Sequence, residues 1–353
     1  MNQVKKLLSA APMVTLIGAG GCGKTRLALE VAASVACDYS HGTWLVDLAP
    51  VSDPHLVAST VARALDVHET ENQSFKESIS NFLGHKRLLL LLDNCEHVIQ
   101  SCAELASGLL SRCPELKILA TSREPLAIAG ETVWRVPSLS LPDKDAIEAE
   151  ALMQCDAVSL FVARAQSALP SFELAHQNAE TMAQICRRLD GIPLAIELAA
   201  VRVRALAIDE ILDRLDHRFE LLSGGLRTAP PRQRTLRATV DWSYELLDAK
   251  ETALLARLSI FAGGWTLQAA EAVCAESDAG TIGIDSRKVP NLLARLVDKS
   301  MVVTEEGRVE QRYHMLETLR QYGLEKLKAA VVEQTVRARH IAWFIELARH
   351  SVD

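Results

Sequence analysis

Residues 18–25 combine four glycines with a lysine and a threonine in the order G-x-x-x-x-G-K-[ST]. The glycines let successive backbone N–H groups turn inward toward an anion, and a following helix adds partial positive charge at its N-terminus. Lys24 would reach the β- and γ-phosphates of a nucleotide, and the Thr25 hydroxyl would hold Mg²⁺. We therefore predict a nucleoside diphosphate or triphosphate site. The residues expected to bind it are Gly18, Gly20, Gly21, Cys22, Gly23, Lys24, Thr25 and Arg26.

A second group of chemical side chains follows a run of five leucines at positions 88–92. Asp93 comes directly after that run, where the carboxylate of a P-loop ATPase holds Mg²⁺ through water. Asn94 occupies the position where many hydrolytic P-loop proteins carry a glutamate. The nearest acid, Glu96, either orients the attacking water or complements the dipole of the next helix, and both interpretations stay open. We therefore expect slow hydrolysis.

A third candidate is Arg123, which follows a predicted strand at 117–121. At the end of that strand its guanidinium would lie beside the phosphates and pair with the γ-phosphate in a bidentate fashion. A surface arginine paired with Glu124 is the alternative, and the position of Arg123 disfavours it. The predicted catalytic residues are thus Asp93, Glu96 and Arg123, and the predicted Mg²⁺ ligands are Thr25 and Asp93.

The elements that must position these residues alternate between strand and helix patterns over residues 1–140. Such alternation is typical of a parallel sheet with helices on both faces. We predict an α/β P-loop nucleotide-binding domain in this region. The predicted strands are 13–17, 43–48, 87–93, 117–121 and 132–136, and the predicted helices are 24–36, 55–65, 74–83 and 96–112.

Helical periodicity replaces the strand pattern beyond residue 149. We predict an α-helical lid domain over 149–222 and a winged-helix domain over 233–325, separated by the glycine- and proline-rich linker near 222–231. Residues 330–353 are predicted to be the start of a further helical segment, and we expect the natural protein to continue into more helices. The predicted helices are 149–168, 178–189, 193–205, 208–215, 236–246, 249–261, 267–273, one opening at Pro290, and 336–350; the predicted wing strands are 301–304 and 309–315.

The composition of this 353-residue chain indicates its cellular compartment and which partners are disfavoured. Its net charge of −7 gives no electrostatic argument for a nucleic-acid or anionic-membrane partner. Pro12 interrupts the N-terminal apolar run, and no apolar stretch approaches the roughly 20 residues that span a bilayer. Eight cysteines without a C-x-x-C spacing indicate a reducing compartment. We therefore expect a cytoplasmic protein without a membrane partner.

A metal site at Cys95, His97 and Cys102 is the weaker interpretation of those three neighbouring residues. Although they are close in sequence, they lack a fourth ligand at a recognised spacing.

Several segments together resemble the regulatory STAND ATPases. The most similar type is the ATPase module of SARP-like and LuxR-like bacterial transcriptional regulators, which is akin to the NB-ARC modules of plant resistance and apoptotic proteins. The resemblance implies an ATP/ADP switch in which a helical domain and a winged helix clamp ADP at rest. It also implies that Pro193 contacts the adenine or ribose, although a plain helix-start proline is an equal alternative. The segments are 18–25, 91–98, 120–124, 191–195, 236–244, 258–264 and 316–322.

Two departures from the family pattern affect these expectations. Only 12 residues precede the first predicted strand, where the family has a short motif that helps to hold the adenine, so we expect incomplete base recognition. NB-ARC proteins also use a Met-His-Asp triplet to sense ADP, whereas this chain has Met315, Leu316 and Glu317. His314 is a weak candidate for the sensor and is better interpreted as a strand residue.

We predict an ATP/ADP-binding signal-transduction switch of the transcriptional-regulator type, with slow ATP hydrolysis. The alternatives are a DNA-binding regulator that acts through its winged helix and, less favoured, a P-loop small-molecule kinase. Glu305, Glu306 and Glu310 in the predicted wing would repel DNA phosphates. The expected partners are an adenine nucleotide, a second copy or an effector protein in the activated state, and DNA through flanking domains outside this chain.

Overall fold

A computed structural model describes residues 1–68, 73–143, 149–215, 222, 236–275, 282–305, 311–330 and 332–350. The chain forms two compact units. The first comprises residues 1–19 and 23–137, and the second comprises residues 20–22 and 138–353. Within the described residues, no helix has both the length and the apolar character that crossing a bilayer requires.

The first unit contains a five-stranded sheet in the order β2-β3-β4-β1-β5. All four strand pairs are parallel, as the alternating sequence pattern predicts. Parallel pairing places the carboxyl ends of all five strands at one edge of the sheet. The strands are β1 (Met13–Ile17), β2 (Thr43–Asp47), β3 (Leu88–Asp93), β4 (Leu116–Ser122) and β5 (Glu131–Arg135).

Helices cover both faces of this sheet, and the leucine run in β3 shows why. Leu88, Leu90 and Leu92 contribute to the core on one face, while Leu89 and Leu91 contribute to the core on the other. Because side chains alternate along a strand, a strand buried on both faces needs apolar residues at every position. The helices of this unit are α1 (Asn2–Ala10), α2 (Lys24–Ser34), α3 (Val57–Ala64), α4 (Phe75–Leu83) and α5 (Ile99–Arg112).

Two helices of the first unit begin later than the sequence pattern predicts. α3 and α5 are each preceded by a short 3-10 turn, Pro54–Leu56 and Cys95–His97. Glu96 therefore lies in the turn after β3 and not in the first turn of α5. The prediction also missed α1, which buries Val4 and Leu8.

The second unit begins with helices that form the predicted lid region. The predicted 149–168 helix is interrupted, because Ser140 Oγ accepts a hydrogen bond from Asp156 N and Ser140 O accepts one from Ala157 N, so that a new helix begins at Asp156. The predicted 193–205 helix ends at Ala200 and continues as a 3-10 turn, Val201–Arg204. The helices are α6 (Ala149–Leu152), α7 (Asp156–Ala168), α8 (His176–Arg188), α9 (Pro193–Ala200) and α10 (Ile208–Arg214).

The remainder of the second unit has the helices and small antiparallel sheet of a winged helix. The sheet has the order β6-β8-β7, one strand more than the predicted hairpin. A single hydrophobic core includes Phe161 of α7 and Leu293 of the winged-helix part. The predicted linker at 223–231 and wing residues 306–310 lie outside the described residues. The elements are α11 (Leu236–Glu245), α12 (Ala249–Leu258), β6 (Trp265–Thr266), α13 (Leu267–Cys274), α14 (Val289–Asp298), β7 (Val303–Glu305), β8 (Arg312–His314), α15 (Glu317–Ala329) and α16 (Glu333–His350).

Candidate nucleotide-binding site

The register of the parallel sheet brings the predicted site residues of the first unit to one edge. Ile17, the last residue of β1, lies opposite Ser122, the last residue of β4. The glycine-rich loop leaves β1 at this point, and Arg123 directly follows β4. Leu92 pairs with Ala120, which places Asp93 beside the end of β4. The crevice outside the carboxyl ends of parallel strands is where open α/β sheets bind their ligands.

The glycine-rich loop has the backbone that its sequence predicts. Gly21 and Gly23 adopt φ angles of +80° and +92°, in the left-handed region that side chains disfavour. Gly23 is the N-cap of α2, so the loop ends at a helix N-terminus. Lys24 Nζ donates to Gly18 O at 2.8 Å and to Ala19 O at 3.1 Å. The ammonium group is thus held across the opening of the loop, where phosphate oxygens could replace the two carbonyls.

Asp93 is a buried carboxylate with several hydrogen-bond donors. Thr25 Oγ1 donates to Asp93 Oδ1 at 2.8 Å, and the Thr121 hydroxyl donates to the same oxygen. Asn94 Nδ2 donates to Oδ2 at 2.7 Å. Burial raises the pKa of Asp93 above its usual range, and the bonds from Thr121 and Thr25 oppose that rise.

Thr121 is a site residue that the sequence analysis missed. Its hydroxyl donates to Asp93 and accepts a hydrogen bond from Asn94 N at 3.0 Å. Asn94 has a φ of +63°, a left-handed conformation that asparagine tolerates better than most residues. Thr121 therefore helps to hold the turn that follows β3. A signal was present in the sequence, since aligning the ends of the two predicted strands puts a hydroxyl beside Asp93.

Glu96 and Arg123, which were predicted separately, form a buried ion pair. Arg123 Nε donates to Glu96 Oε1 at 3.2 Å, and the two side chains are 7% and 3% exposed. Arg123 is therefore not a surface residue, and Glu96 is a carboxylate partner of its guanidinium. Glu96 Oε2 is also buried and has no hydrogen-bond partner among the described residues.

The remaining residues that we predicted to contact the nucleotide lie in the loop and at the starts of α2 and α9. Arg26 is exposed in the first turn of α2, and Cys22 is buried. Pro193 is the first residue of α9, as a helix-start proline would be. Gly21 belongs by its contacts to the second unit, and within that unit Leu194 N donates to Gly21 O at 3.2 Å. The residue after Pro193 thus contacts Gly21, while the part that Pro193 plays toward a base stays a prediction.

The oxygen atoms of the side chains at this edge have the chemistry that suits Mg²⁺. Thr25 and Asp93 place a hydroxyl and a carboxylate in direct contact, and Mg²⁺ prefers such ligands together with waters and substrate phosphates. The described residues contain no cluster of three or more His, Cys, Asp and Glu side chains that could hold a metal. His97 Nε2 instead lies 3.0 Å from Leu48 O and 2.9 Å from Val51 O.

Comparisons with known proteins agree with this arrangement. Residues 1–146 match the NB-ARC domain family and residues 247–328 match a winged helix-turn-helix domain family. Over 345 residues, 98% of this chain is 47% identical to a Mycobacterium tuberculosis protein named as an HTH-type transcriptional regulator, and the match covers 37% of that relative. The chain thus spans little more than a third of the length of that regulator.

A second relative and a solved structure extend the comparison. An M. tuberculosis protein that is uncharacterised by name is 41% identical over 340 residues, which covers 96% of this chain and 82% of the relative. The Aeropyrum pernix ORC2 protein, solved as ADPNP and ADP complexes, is 11% identical with a TM-score of 0.55 and covers 95% of this chain and 93% of its own; this likeness concerns the fold. The chain therefore belongs to the same family as these mycobacterial proteins, and within it an NB-ARC ATPase domain precedes a winged helix-turn-helix domain.

Proposed function

We propose that this chain is an ATP/ADP-binding switch of a transcriptional regulator, with slow ATP hydrolysis coupled to domain rearrangement. The observation that carries the proposal is the pair of contacts in the first unit, Lys24 with the loop carbonyls and Thr25 with Asp93. These contacts support the proposal because Lys24 brings a cation suited to phosphate, and Thr25 and Asp93 bring oxygens suited to Mg²⁺, to the same loop and strand end.

The contacts suggest what each residue does when nucleotide binds. The Lys24 ammonium exchanges two backbone carbonyls for phosphate oxygens, and the N–H groups at the start of α2 face the same anion. The Thr25 hydroxyl and the Asp93 carboxylate would hold Mg²⁺, which would supply positive charge to neutralise the phosphates. Arg123 lies beside this position and is the residue suited to reach a γ-phosphate.

The site also supports slow turnover. The Asn94 amide cannot act as a base, and its Nδ2 donates to Asp93. Glu96, the nearest other acid, is paired with Arg123. We therefore expect a rate below the enzyme median of about 10 s⁻¹. A steady-state phosphate-release assay measures it; a fast rate that Glu96→Gln abolishes would mean an efficient ATPase instead.

Calorimetry with the whole chain tests nucleotide binding. Lys24→Ala should weaken ADP and ATP binding in Mg²⁺ by at least about 100-fold, because the variant lacks the cation that faces the phosphates. Lys76→Ala is a matched control, since Lys76 is an exposed lysine paired with Glu104. Equal affinity of Lys24→Ala and the unmodified chain would contradict the proposal.

Direct DNA binding is a second candidate function, and the winged helix-turn-helix match favours it. We place it second because of the net charge of −7 and the acidic residues in the wing sequence. Duplex binding by the whole chain should be weak; micromolar affinity that falls steeply with salt would make DNA a direct partner. A second copy or an effector protein is the partner that we propose for the activated state.

A further inference from the structure

We propose that Glu96 sets the preference of the site for ADP over ATP by holding the Arg123 guanidinium away from the γ-phosphate position. The proposal rests on the proposed function, since it assumes that the loop binds adenine nucleotides. It assigns to Glu96 a part in selecting the nucleotide, distinct from orienting water.

The backbone fixes both members of the pair close to the phosphate loop. Arg123 follows Ser122, which lies opposite Ile17 at the point where the loop begins. Glu96 lies in the 3-10 turn after β3, and this turn is held by the hydrogen bond from Asn94 N to Thr121 Oγ1. The ends of two neighbouring parallel strands therefore place the Glu96 carboxylate and the Arg123 guanidinium at one edge of the sheet. Their contact depends on the register between these strands.

The pair is incompletely satisfied on the side of the acid. Glu96 Oε1 accepts from Arg123 Nε, but the buried Oε2 has no hydrogen-bond partner in the described part of the chain. A buried carboxylate oxygen without a donor loses hydration that nothing replaces. Arg123 is thus the only hydrogen-bond donor to Glu96 among the described residues, and separating the pair would leave the carboxylate with none.

ADP and ATP should affect the Glu96–Arg123 ion pair differently. ADP lacks the γ-phosphate, so the pair stays intact when ADP binds. An ATP γ-phosphate offers Arg123 a second anion, and pairing with it separates the guanidinium from Glu96. Leaving a buried charge without its partner is costly, so part of the attraction of Arg123 to the γ-phosphate offsets this loss. A ligand shifts an equilibrium only through such differential interactions, and Glu96 therefore favours ADP.

The decisive experiment compares the affinities of ADP and a non-hydrolysable β,γ-imido ATP analogue for the whole chain in Mg²⁺. Glu96→Gln should tighten analogue binding by about tenfold and leave ADP within about twofold, because the Glu96 carboxylate then no longer competes with the phosphate for the guanidinium. Glu104→Gln, which alters an exposed glutamate paired with Lys76, should leave both affinities unchanged. In Arg123→Gln the Glu96→Gln substitution should no longer tighten analogue binding.

The possible outcomes separate this inference from the proposed function. An unchanged or lower analogue-to-ADP affinity ratio in Glu96→Gln would overturn the inference, and a lower turnover rate with unchanged affinities would assign Glu96 to the water alone. If Glu96→Gln does not fold, Glu96→Asp keeps the charge on a shorter side chain and should shift the ratio in the same direction by a smaller factor. Absence of any nucleotide binding by the unmodified chain would instead refute the proposed function.

Discussion

Glu251 in the second unit and Glu96 in the first are both buried glutamates that meet a cation, but their surroundings differ. Asp248 N and Lys299 Nζ donate to Glu251 Oε2 at 2.8 and 3.0 Å, and Arg295 Nε lies 2.9 Å from Oε1. Oε1 accepts no hydrogen bond from the described residues, but the carboxylate as a whole meets two cations and one backbone N–H. Glu96 has Arg123 at one oxygen and no hydrogen-bond partner at the other.

This difference indicates different uses of a buried charge. Glu251 joins the N-terminus of α12, through its capping box with Asp248, to the end of α14 and Lys299 beyond it. Every one of these contacts is lost together if the carboxylate is lost, which suits a structural role. Glu96 pairs with Arg123, and we propose that a nucleotide competes for that arginine. The two glutamates thus differ in the number of groups that meet the charge: one cation at Glu96, and two cations together with one backbone N–H at Glu251.

The largest effect that we expect comes from Glu251→Gln. Removing the charge leaves the mostly buried Lys299 without its carboxylate, and it should lower the free energy of unfolding of the second unit by about 3 kcal/mol. Glu96→Gln should cost the first unit less, because it removes the partner of one cation and Glu251→Gln removes the partner of two. Urea unfolding of both variants, with nucleotide affinity as the second measurement, checks the contrast. Equal losses of stability, or altered ADP binding in Glu251→Gln, would break it.

Replacing either of the two cations that contact Glu251 should have a smaller effect on stability, and the two losses should differ. Lys299 is 16% exposed and also donates to Leu246 O, so Lys299→Met should lower the free energy of unfolding by about 2 kcal/mol. Arg295 is 51% exposed and can regain hydration, so Arg295→Met should cost less than about 1 kcal/mol. Urea midpoints measured under one buffer condition decide the order. A larger loss in Arg295→Met would show that burial does not set the strength of these pairs.

The smallest expected effect concerns pH and the strand residue His314. Burial lowers the pKa of His314 below its ordinary 6.5, while Glu305 partly opposes this. The folded unit therefore binds the proton less tightly than the unfolded chain, and stability is lost as pH falls from 6.5 through the lowered pKa. His314→Gln should flatten the decrease in Tm between pH 7.5 and pH 5.5. The pKa of His340 is also lowered by burial, so His340→Gln should act in the same direction. An unchanged slope in His314→Gln would contradict the prediction.

The sequence predicted much of the fold because its strongest signals are local. The leucine run of β3 predicted a strand buried on both faces, and all five strands predicted for the first unit are present with ends within one residue of those expected. Boundaries failed where a side chain elsewhere in the chain intervened. Ser140 bonds to the first-turn N–H groups at 156–157, and this divides a stretch whose periodicity predicted one helix.

For the candidate site, the sequence by itself determined the phosphate loop. Its glycines, Lys24 and the start of α2 are contiguous, so the geometry follows from the backbone preferences of a few neighbouring residues. Only the tertiary structure decided that Thr121 bonds to Asp93 and that Glu96 pairs with Arg123. Each of these contacts joins the end of β3 to the end of β4, 27 or 28 residues away along the chain. Such contacts depend on the register between two strands, because a one-residue slip would point the side chains to the opposite face of the sheet.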